Sequence, residues 1–436
     1  MKAISFLGAG PAFETTYILP DGREHTAPFF PAALVRFYSV DTLLVFVTAG
    51  ARTMHYDRLQ TLAEDYVQFI RPVDIPDGRN EAELWQIFTA VADAVEPEDR
   101  VIFDITHGFR SLPFLSFLAA AYLRAIKRVT LEAVLYGALE AGDKSVTPAR
   151  APVFDLSRFV SLLDWLTAAD RFVQFGDARK LAEILRDRQA TPVHLAAAAG
   201  NRQAQQMATA LKGAATAMEN VALPLRLTRP VETMEAAATL EKALAAAQAA
   251  FDQWAPPFAL VADQVRGAYA PFGLAEPLSS ENLAQSLTVQ RHLVEWYLEK
   301  EQIIQAATLG QEWLVSWIMG WLGELPLDNR QRRQTVSSVV GTEALRLRDE
   351  RKRNKQTGET EAFFSTFLRD VPELERVLDL FSQLGEVRND LNHAGLREGR
   401  MPAKTLASRT GQLCVQLASL PIPFSRLDLS SEKGPI

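Results

Sequence analysis

The sequence has few of the features that mark secreted and membrane proteins. It contains one cysteine, Cys414, among 436 residues, so no internal disulfide can form and nothing indicates an oxidising compartment. The N-terminal segment MKAISFLGAGP has too short an apolar part for a signal peptide, and every stretch of membrane-spanning length carries charges. We therefore expect a soluble, cytoplasmic protein with no membrane partner.

Motifs of several enzyme classes are also absent. The chain has no Walker lysine motif, no cysteine cluster and no histidine pair at metal-binding spacing, so we expect neither a metal nor a cofactor. The glycine pair Gly8 and Gly10 lacks the third glycine of a dinucleotide fingerprint and a helix directly behind it. This departure disfavours a nucleotide-binding oxidoreductase, which remains one alternative. The net charge of −7 does not by itself favour nucleic acid as a partner.

Strand and helix patterns alternate through the first part of the chain. Apolar runs at Lys2–Leu7, Thr42–Val47 and Val101–Ile105 are typical of buried strands, and amphipathic segments lie between them. This order predicts an α/β, Rossmann-like domain with a parallel sheet over residues 1–155. An Ala-rich all-α linker is predicted for residues 156–285, and an all-α C-terminal domain for residues 286–436.

Small or polar residues follow three of the predicted strands. Because the carboxyl ends of parallel strands meet at one edge of a sheet, where ligands bind in such folds, these loops predict a binding pocket. Arg110 and the helix N-terminus that follows Ser111 favour an anion there. The alternative is that each segment is an ordinary turn, with Ser111 as a helix cap. The candidate ligand-binding residues are Gly8, Ala9, Gly10, Thr48, Ala49, Gly50, Arg52, Thr106, His107, Gly108, Phe109, Arg110 and Ser111.

A second informative segment, Val371–Gly395, has the apolar spacing of an amphipathic helix and ends in RNDLNHAG. Asn389 and His393 are four residues apart and share a helix face, and Arg388 lies one step round. A histidine near an arginine suits phosphodiester cleavage, because the imidazole can transfer a proton and the guanidinium can stabilise phosphate charge. The alternative is a helix end that carries a favourable cation.

Two further patterns stand in the C-terminal part. Trp313, Trp317 and Trp321 are spaced four apart, which predicts a buried helix face rather than a platform for nucleic-acid bases. The run Arg330–Lys355 carries nine Lys or Arg and three Asp or Glu. This run is consistent with two alternatives, a solvated or disordered loop and a surface that attracts phosphate.

The motifs FLGAG and DITHGFRSLP resemble those of CARF domains of CRISPR-associated proteins, and RNDLNH resembles the Arg-to-His pattern of HEPN ribonucleases. In this order they resemble the CARF–HEPN ancillary ribonucleases of type III CRISPR systems. The resemblance covers Met1 to about Leu185 and Glu301 to about Leu420; the middle matches only in being helical.

This resemblance implies a metal-independent endoribonuclease that a cyclic oligoadenylate activates and that cleaves single-stranded RNA to a 2′,3′-cyclic phosphate. The implied activator is cyclic tetra-adenylate, with cyclic hexa-adenylate as the second choice, held by the three loops of a homodimer or higher homo-oligomer. Arg388, Asn389 and His393 would carry cleavage, and Glu312 would orient Arg388. An alternative is a non-catalytic cyclic-oligoadenylate sensor or regulator, in which RNDLNH is only a helix end.

Overall fold

The structure is a computed structural model, and it describes residues 1–107, 112–186, 197, 199–254, 256–357, 365–396 and 398–423. The chain divides into two compact units, Met1–Asp164 and Trp165–Ile436, which we describe separately. The first unit ends near the predicted end of the α/β domain at residue 155. The boundary predicted between residues 285 and 286 stays a prediction.

The first unit is built on an eight-stranded sheet with the order β3-β2-β8-β7-β6-β1-β4-β5. Strands β5, β4, β1, β6 and β7 pair in parallel, as predicted, and the β2–β3 hairpin is antiparallel. The chain adds β4 and β5 on one side of β1 and then returns to add β6 and β7 on the other, which is the strand order of a doubly wound fold. The strands are β1 (Lys2–Leu7), β2 (Thr15–Ile18), β3 (Glu24–Ala27), β4 (Thr42–Val47), β5 (Phe69–Asp74), β6 (Arg100–Asp104), β7 (Thr130–Gly137) and β8 (Ala149–Asp155).

Helices cover both faces of this sheet, so the strands are buried on both sides. Alternate residues of β1 belong to separate cores: Ala3 packs in the core that includes the first and third helices, and Ile4 in the core that includes the fourth and fifth. The helices are α1 (Phe30–Phe37), α2 (Ala49–Ala51), α3 (Asp57–Ala63), α4 (Glu81–Asp93) and α5 (Leu112–Lys127).

Two local predictions in this unit are wrong. The segment Thr48–Arg52, predicted as a loop, starts a helix: α2 continues through a π-helical turn, Arg52–Tyr56, into α3. The Thr48 side chain caps α2 by accepting a hydrogen bond from the Ala51 N–H at 3.3 Å. The sequence of residues 67–70 (VQFI) also predicts a strand, but β5 begins two residues later, at Phe69, because the helical path runs on to residue 66. Pro72 is accommodated there because β5 is an edge strand.

The rest of the described chain is helical, as predicted. None of the described helices combines the length and the apolar character that a membrane crossing requires. A proline pair in a sequence predicts a boundary, but Pro256 and Pro257 instead begin a helix, a position that proline tolerates. The helices are α6 (Ser157–Phe175), α7 (Arg179–Arg186), α8 (Arg202–Arg226), α9 (Pro230–Trp254), α10 (Pro256–Tyr269), α11 (Leu283–Glu299), α12 (Ile303–Leu322), α13 (Arg330–Thr357), α14 (Leu374–Asn392) and α15 (Ala403–Ala418).

The two C-terminal patterns have clear outcomes in the second unit. Trp313 and Trp317 are fully buried, and their indole N–H groups donate to the carbonyls of Leu287 and Pro421, which confirms the buried face. The basic run forms the long helix α13, so the loop alternative is wrong for these residues. Ion pairs across the helix surface support it, such as Arg351 with Asp379 of α14 at 2.7 Å.

Candidate functional site

The three predicted strand ends lie side by side at one edge of the sheet. Strand β1 pairs with β4 on one side, where Leu7 is opposite Val47, and with β6 on the other, where Ser5 is opposite Asp104. The crevice between β1 and β6 is the point where the strand order reverses, and ligands bind at such points. Of the predicted residues, 108–111 (Gly108, Phe109, Arg110 and Ser111) lie outside the described residues.

Close backbone packing brings the three segments together. A side-chain Cβ at Gly8 would lie 3.0 Å from the carbonyl oxygen of His107, and one at Gly50 would lie 3.6 Å from the Cβ of Ala9. The ring Nε2 of His55 lies 2.8 Å from the carbonyl oxygen of Gly10. Position 8 therefore needs glycine for close approach rather than for an unusual backbone angle.

A small cavity of about 170 Å³ opens beside this loop. It is too small to enclose a ring of several nucleotides, so this unit alone offers part of a binding surface. Its lining residues are Leu7, Gly8, Gly10, Pro11, Ala12, Pro28, Phe29 and His107.

A buried carboxyl group fixes the start of the β6 loop. Asp104 is fully buried; one oxygen accepts a hydrogen bond from the Ser5 hydroxyl and the other accepts the Thr106 N–H at 2.8 Å. The Thr106 hydroxyl in turn accepts the Gly137 N–H at 2.9 Å. Burial raises the pKa of Asp104 to about 6, against the lowering effect of these hydrogen bonds. The site therefore rests on a rigid polar network below the loop.

The shift at Asp104 predicts a pH-dependent stability. Since the folded-state pKa is raised from 3.8 to about 6, the folded protein holds a proton between these values that the unfolded chain releases. Stability from this group is complete below pH 4 and falls by about 3 kcal/mol as the pH rises through 6. An Asp104→Asn variant keeps the hydrogen-bonding shape without the titration. We expect the melting temperature of the parent, relative to this variant, to fall between about pH 4 and 6 and to stay level above pH 7. A constant difference across this range would contradict the shift.

His107 serves the loop as a hydrogen-bond acceptor. Its Nε2 accepts the backbone N–H of Phe30, the first residue of α1, at 3.0 Å. Burial, with a smaller effect of the positively charged form of His55, lowers the pKa of His107 to about 4. The imidazole is therefore neutral at physiological pH, so it anchors the loop and supplies no positive charge to an anion.

Positive charge beside the rim comes from one helical path. Arg52, His55 and Arg58 follow at intervals of three residues, so they lie close on the helix surface. Arg52 pairs with Asp74, and Arg58 pairs with Glu14 at 3.0 Å. His55 and Arg58 were not predicted from the sequence, although their spacing of three residues could have indicated that they share a helix face with Arg52.

In the second unit, Arg388 of α14 forms an ion pair with Glu312 of α12, the partner that was expected for it alongside the family resemblance. The Arg388 Nη1 lies 3.4 Å from the Glu312 Oε1, and both side chains are part-exposed. The other carboxylate oxygen, Oε2, accepts a hydrogen bond from Arg333 of α13 at 2.8 Å. One carboxylate therefore holds two guanidinium groups from different helices.

Arg333 is a candidate functional residue that could not be predicted from the sequence. It stands in the basic run, but nothing in that run distinguishes it from its eight neighbours. In the structure it also donates to the Ser316 hydroxyl at 2.8 Å and to the Leu327 carbonyl at 2.9 Å. These bonds fix its position, so Arg333 positions Glu312 while Arg388 stays closer to solvent.

Asn389 and His393 lie at the exposed end of α14. His393 is the residue that ends the helix, and its side chain makes no hydrogen bond within the described part of the chain. The buried Asp390 accepts the Met401 N–H at 3.0 Å and so anchors this helix end. The imidazole is thus free to meet a ligand, while the backbone below it is fixed.

A polar cavity of about 520 Å³ surrounds Arg388, and we call it the Arg388 cavity. The guanidinium and hydroxyl groups that line the Arg388 cavity can bind a phosphate and a sugar. The described residues contain no group of three or more His, Cys, Asp or Glu placed to hold a metal ion. The lining residues are Gln311, Glu312, Val315, Asp328, Arg330, Arg333, Gln334, Ser337, Ser338 and Arg388.

Comparisons with known proteins agree with this geometry for the first unit. The sequence profile of the family described as "CRISPR system endoribonuclease Csx1, CARF domain" matches residues 2–140. The CRISPR-associated protein MJ1674 of Methanocaldococcus jannaschii is 28% identical over 111 residues, which are 25% of this chain. The match spans 17% of that relative's length.

A solved structure of Csm6 from Enterococcus italicus, bound to cyclic hexa-2′-fluoro-hexa-dAMP, was also found to be similar. It is 8% identical, covers 96% of this chain and 92% of its own, and has a TM-score of 0.44.

The first unit is a doubly wound α/β domain with a crevice at its topological switch point, the place where ligands bind in such folds. Residues 2–140 of this unit match the CARF-domain profile, and the unit is similar in sequence to a CRISPR-associated protein. The predicted resemblance is confirmed for this unit. The roles of the individual site residues stay predictions.

Proposed function

We propose that the chain is a type III CRISPR endoribonuclease that a cyclic oligoadenylate activates through the CARF domain. The observation that carries the proposal is that one chain joins a CARF-like domain to the Arg388 cavity, where Arg388 of α14 pairs with the Glu312 carboxylate of α12, while the exposed His393 ends α14. The proposed activator is cyclic tetra-adenylate, with cyclic hexa-adenylate as the second choice. The second unit then supplies a HEPN-type site.

The chemistry follows from the groups at the end of α14. The 2′-hydroxyl of single-stranded RNA loses its proton to solvent water and attacks the adjacent phosphate, and the bond to the 5′-oxygen breaks. Arg388, which Glu312 orients, neutralises charge that grows on the phosphate, and His393 transfers a proton to the departing oxygen. The products are a 2′,3′-cyclic phosphate and a 5′-hydroxyl. Asn389, exposed one helical turn before His393, contacts the RNA backbone.

A homodimer is part of the proposal, since two copies of the small rim surface are needed around one ring. Its support is an apolar stripe on α5 with one exposed residue at every fourth position. The stripe consists of Phe114, Leu118, Tyr122 and Ile126, and their exposed fractions are 67%, 39%, 41% and 64%. A contiguous exposed stripe of this kind is typical of an interface. Its proposed occupant is the same stripe of a second copy.

We expect Ile126→Arg to make the protein monomeric and to abolish activated cleavage. Placing an unpaired charge in an apolar interface weakens association by at least about a hundredfold. The matched control is Leu223→Arg, which changes an apolar residue of α8 that is 57% exposed. Light scattering after gel filtration measures the mass. A dimeric Ile126→Arg variant would place the interface elsewhere.

The proposed function is tested with labelled single-stranded RNA in EDTA. We expect cleavage with cyclic tetra-adenylate and none without a ring, with products that carry 2′,3′-cyclic phosphate ends. Cyclic hexa-adenylate is run in parallel to decide between the two rings. Ring binding without RNA cleavage would instead identify a non-catalytic sensor, and cleavage that requires a divalent metal would overturn the mechanism.

A further inference from the structure

A second cavity of about 510 Å³ adjoins the Arg388 cavity. The two share Glu312, Asp328 and Arg333 as lining residues, so the fixed Arg333–Glu312 pair forms part of both walls. Unlike the polar Arg388 cavity, this one has an extensive apolar lining. The apolar residues are Leu227, Pro230, Val231, Leu278, Leu309 and Leu327.

A buried amide supplies a hydrogen-bond acceptor to this cavity. Gln290 of α11 is 4% exposed and lines the cavity; its Nε2 donates to the Ser286 hydroxyl at 3.1 Å. Its Oε1 accepts no hydrogen bond within the described part of the chain. This oxygen is not among the described polar atoms that are both shut off from solvent and unpartnered, so it can accept a hydrogen bond from water or from an N–H group of a ligand in the cavity.

The turn between α8 and α9 forms another part of the lining. Thr228 adopts a left-handed backbone conformation, φ 56°, just beyond the end of α8, where glycine is the usual residue. A β-branched residue is strained there, and Thr228 is one of the residues that line the cavity. The Tyr297 hydroxyl fastens this turn by donating to the Leu225 carbonyl at 2.6 Å.

We infer that this cavity binds an unpaired nucleobase of the RNA, next to the phosphate held at Arg388. The inference rests on the proposed function. Apolar walls suit the faces of a base, and a free amide oxygen suits an N–H group on its edge; recognition of single-stranded RNA commonly uses splayed bases in this way. The cavity has the volume of a small-molecule site. The predicted linker, to which Thr228 belongs, then has a role in substrate selection.

The test uses RNA with a single cleavage site and versions in which one base beside that site is replaced by an abasic spacer. Cleavage is measured with the activating ring. We expect the parent protein to lose roughly tenfold in kcat/KM with the spacer on one side of the site. Equal rates on intact and abasic RNA on both sides would overturn the subsite, while the ribonuclease activity would stand.

A cavity-filling variant locates the effect. Thr308 of α12 lines the cavity, so Thr308→Phe should lower kcat/KM on intact RNA and remove the difference between intact and abasic RNA. Ile304→Phe, four residues earlier and 57% exposed, is the matched control and should keep the difference. Loss of the difference in both variants, or in neither, would contradict the assignment.

A second variant covers the case in which Thr308→Phe does not fold. Gln290→Met removes the amide oxygen and keeps the side-chain length, so it should reduce the parent's preference among the four bases at the same position by several-fold. An unchanged preference would exclude Gln290 as a base contact. If the parent cleaves no RNA under any activator, the proposed function fails first, and that outcome is distinct from a ribonuclease without base dependence.

Discussion

Replacing His393 with alanine is expected to reduce ring-activated RNA cleavage by about a hundredfold to ten-thousandfold. A positioned general acid or base contributes a factor of this order. The side chain is exposed at the end of α14 and has no hydrogen bond within the described residues, so its removal breaks no structural contact there. The lost activity therefore reports chemistry rather than folding.

The measurement is single-turnover cleavage in EDTA with the ring at saturation, together with the melting temperature and the ring affinity of each variant. His292→Ala is the matched control, because His292 is another exposed helical histidine, on α11. We expect it to cleave as the parent does. If His393→Ala kept full cleavage, the RNDLNH segment would be only a helix end, and the non-catalytic sensor would become the better hypothesis.

Arg388 and Arg333 share the Glu312 carboxylate, but Arg388 is held less tightly. The Glu312 carboxylate holds its guanidinium at 3.4 Å, and Arg333 holds that carboxylate more tightly, at 2.8 Å. The more weakly held cation is the one that can turn to a phosphate. This hierarchy explains why a carboxylate beside the proposed site need not cancel its positive charge.

The parts of the fold that the sequence predicts are those with strong periodicity. The segments that form β1, β4 and β6 are continuous apolar runs, which is the pattern of strands buried on both faces. Their parallel pairing and the shared edge of their carboxyl ends follow from the alternation of strands and helices along the chain. The Thr48–Arg52 segment was predicted wrongly because local composition was the only guide. Its glycine and alanines are typical of a loop, but Thr48 caps a helix that the following residues continue and that tertiary packing stabilises.

Some residues of the candidate site can also be predicted from the sequence, and others cannot. Arg388 and His393 can be predicted because they belong to one short motif. The link from Arg388 to Glu312 joins residues 76 positions apart, and sequence spacing carries no information about such a contact. Arg333 and the amide of Gln290 are harder still, since only the packing of α11, α12 and α13 distinguishes them from other polar residues.

Replacing Gly8 with valine is expected to abolish ring binding, and with it activation. The Cβ alone would lie 3.0 Å from the His107 carbonyl oxygen, and the two added methyl groups would press the loop further from β6. The His107 backbone cannot yield easily, because the His107 ring is held by the Phe30 N–H and Thr106 by Asp104. The loop would therefore move into the crevice in which the phosphates are expected.

A matched pair of variants separates close approach from general loop damage. Gly8→Ala and Gly10→Ala add the same methyl group to the same loop, but a Cβ at Gly10 has nothing within 4 Å. We expect the ring Kd, measured by calorimetry, to rise at least about tenfold in Gly8→Ala and to change much less in Gly10→Ala. Tight binding by Gly8→Val would show that the ring does not use this crevice. Because the proposed RNA site lies in the other unit, a Gly8→Val protein that bound RNA like the parent, yet could not be activated, would also tie activation to the first unit.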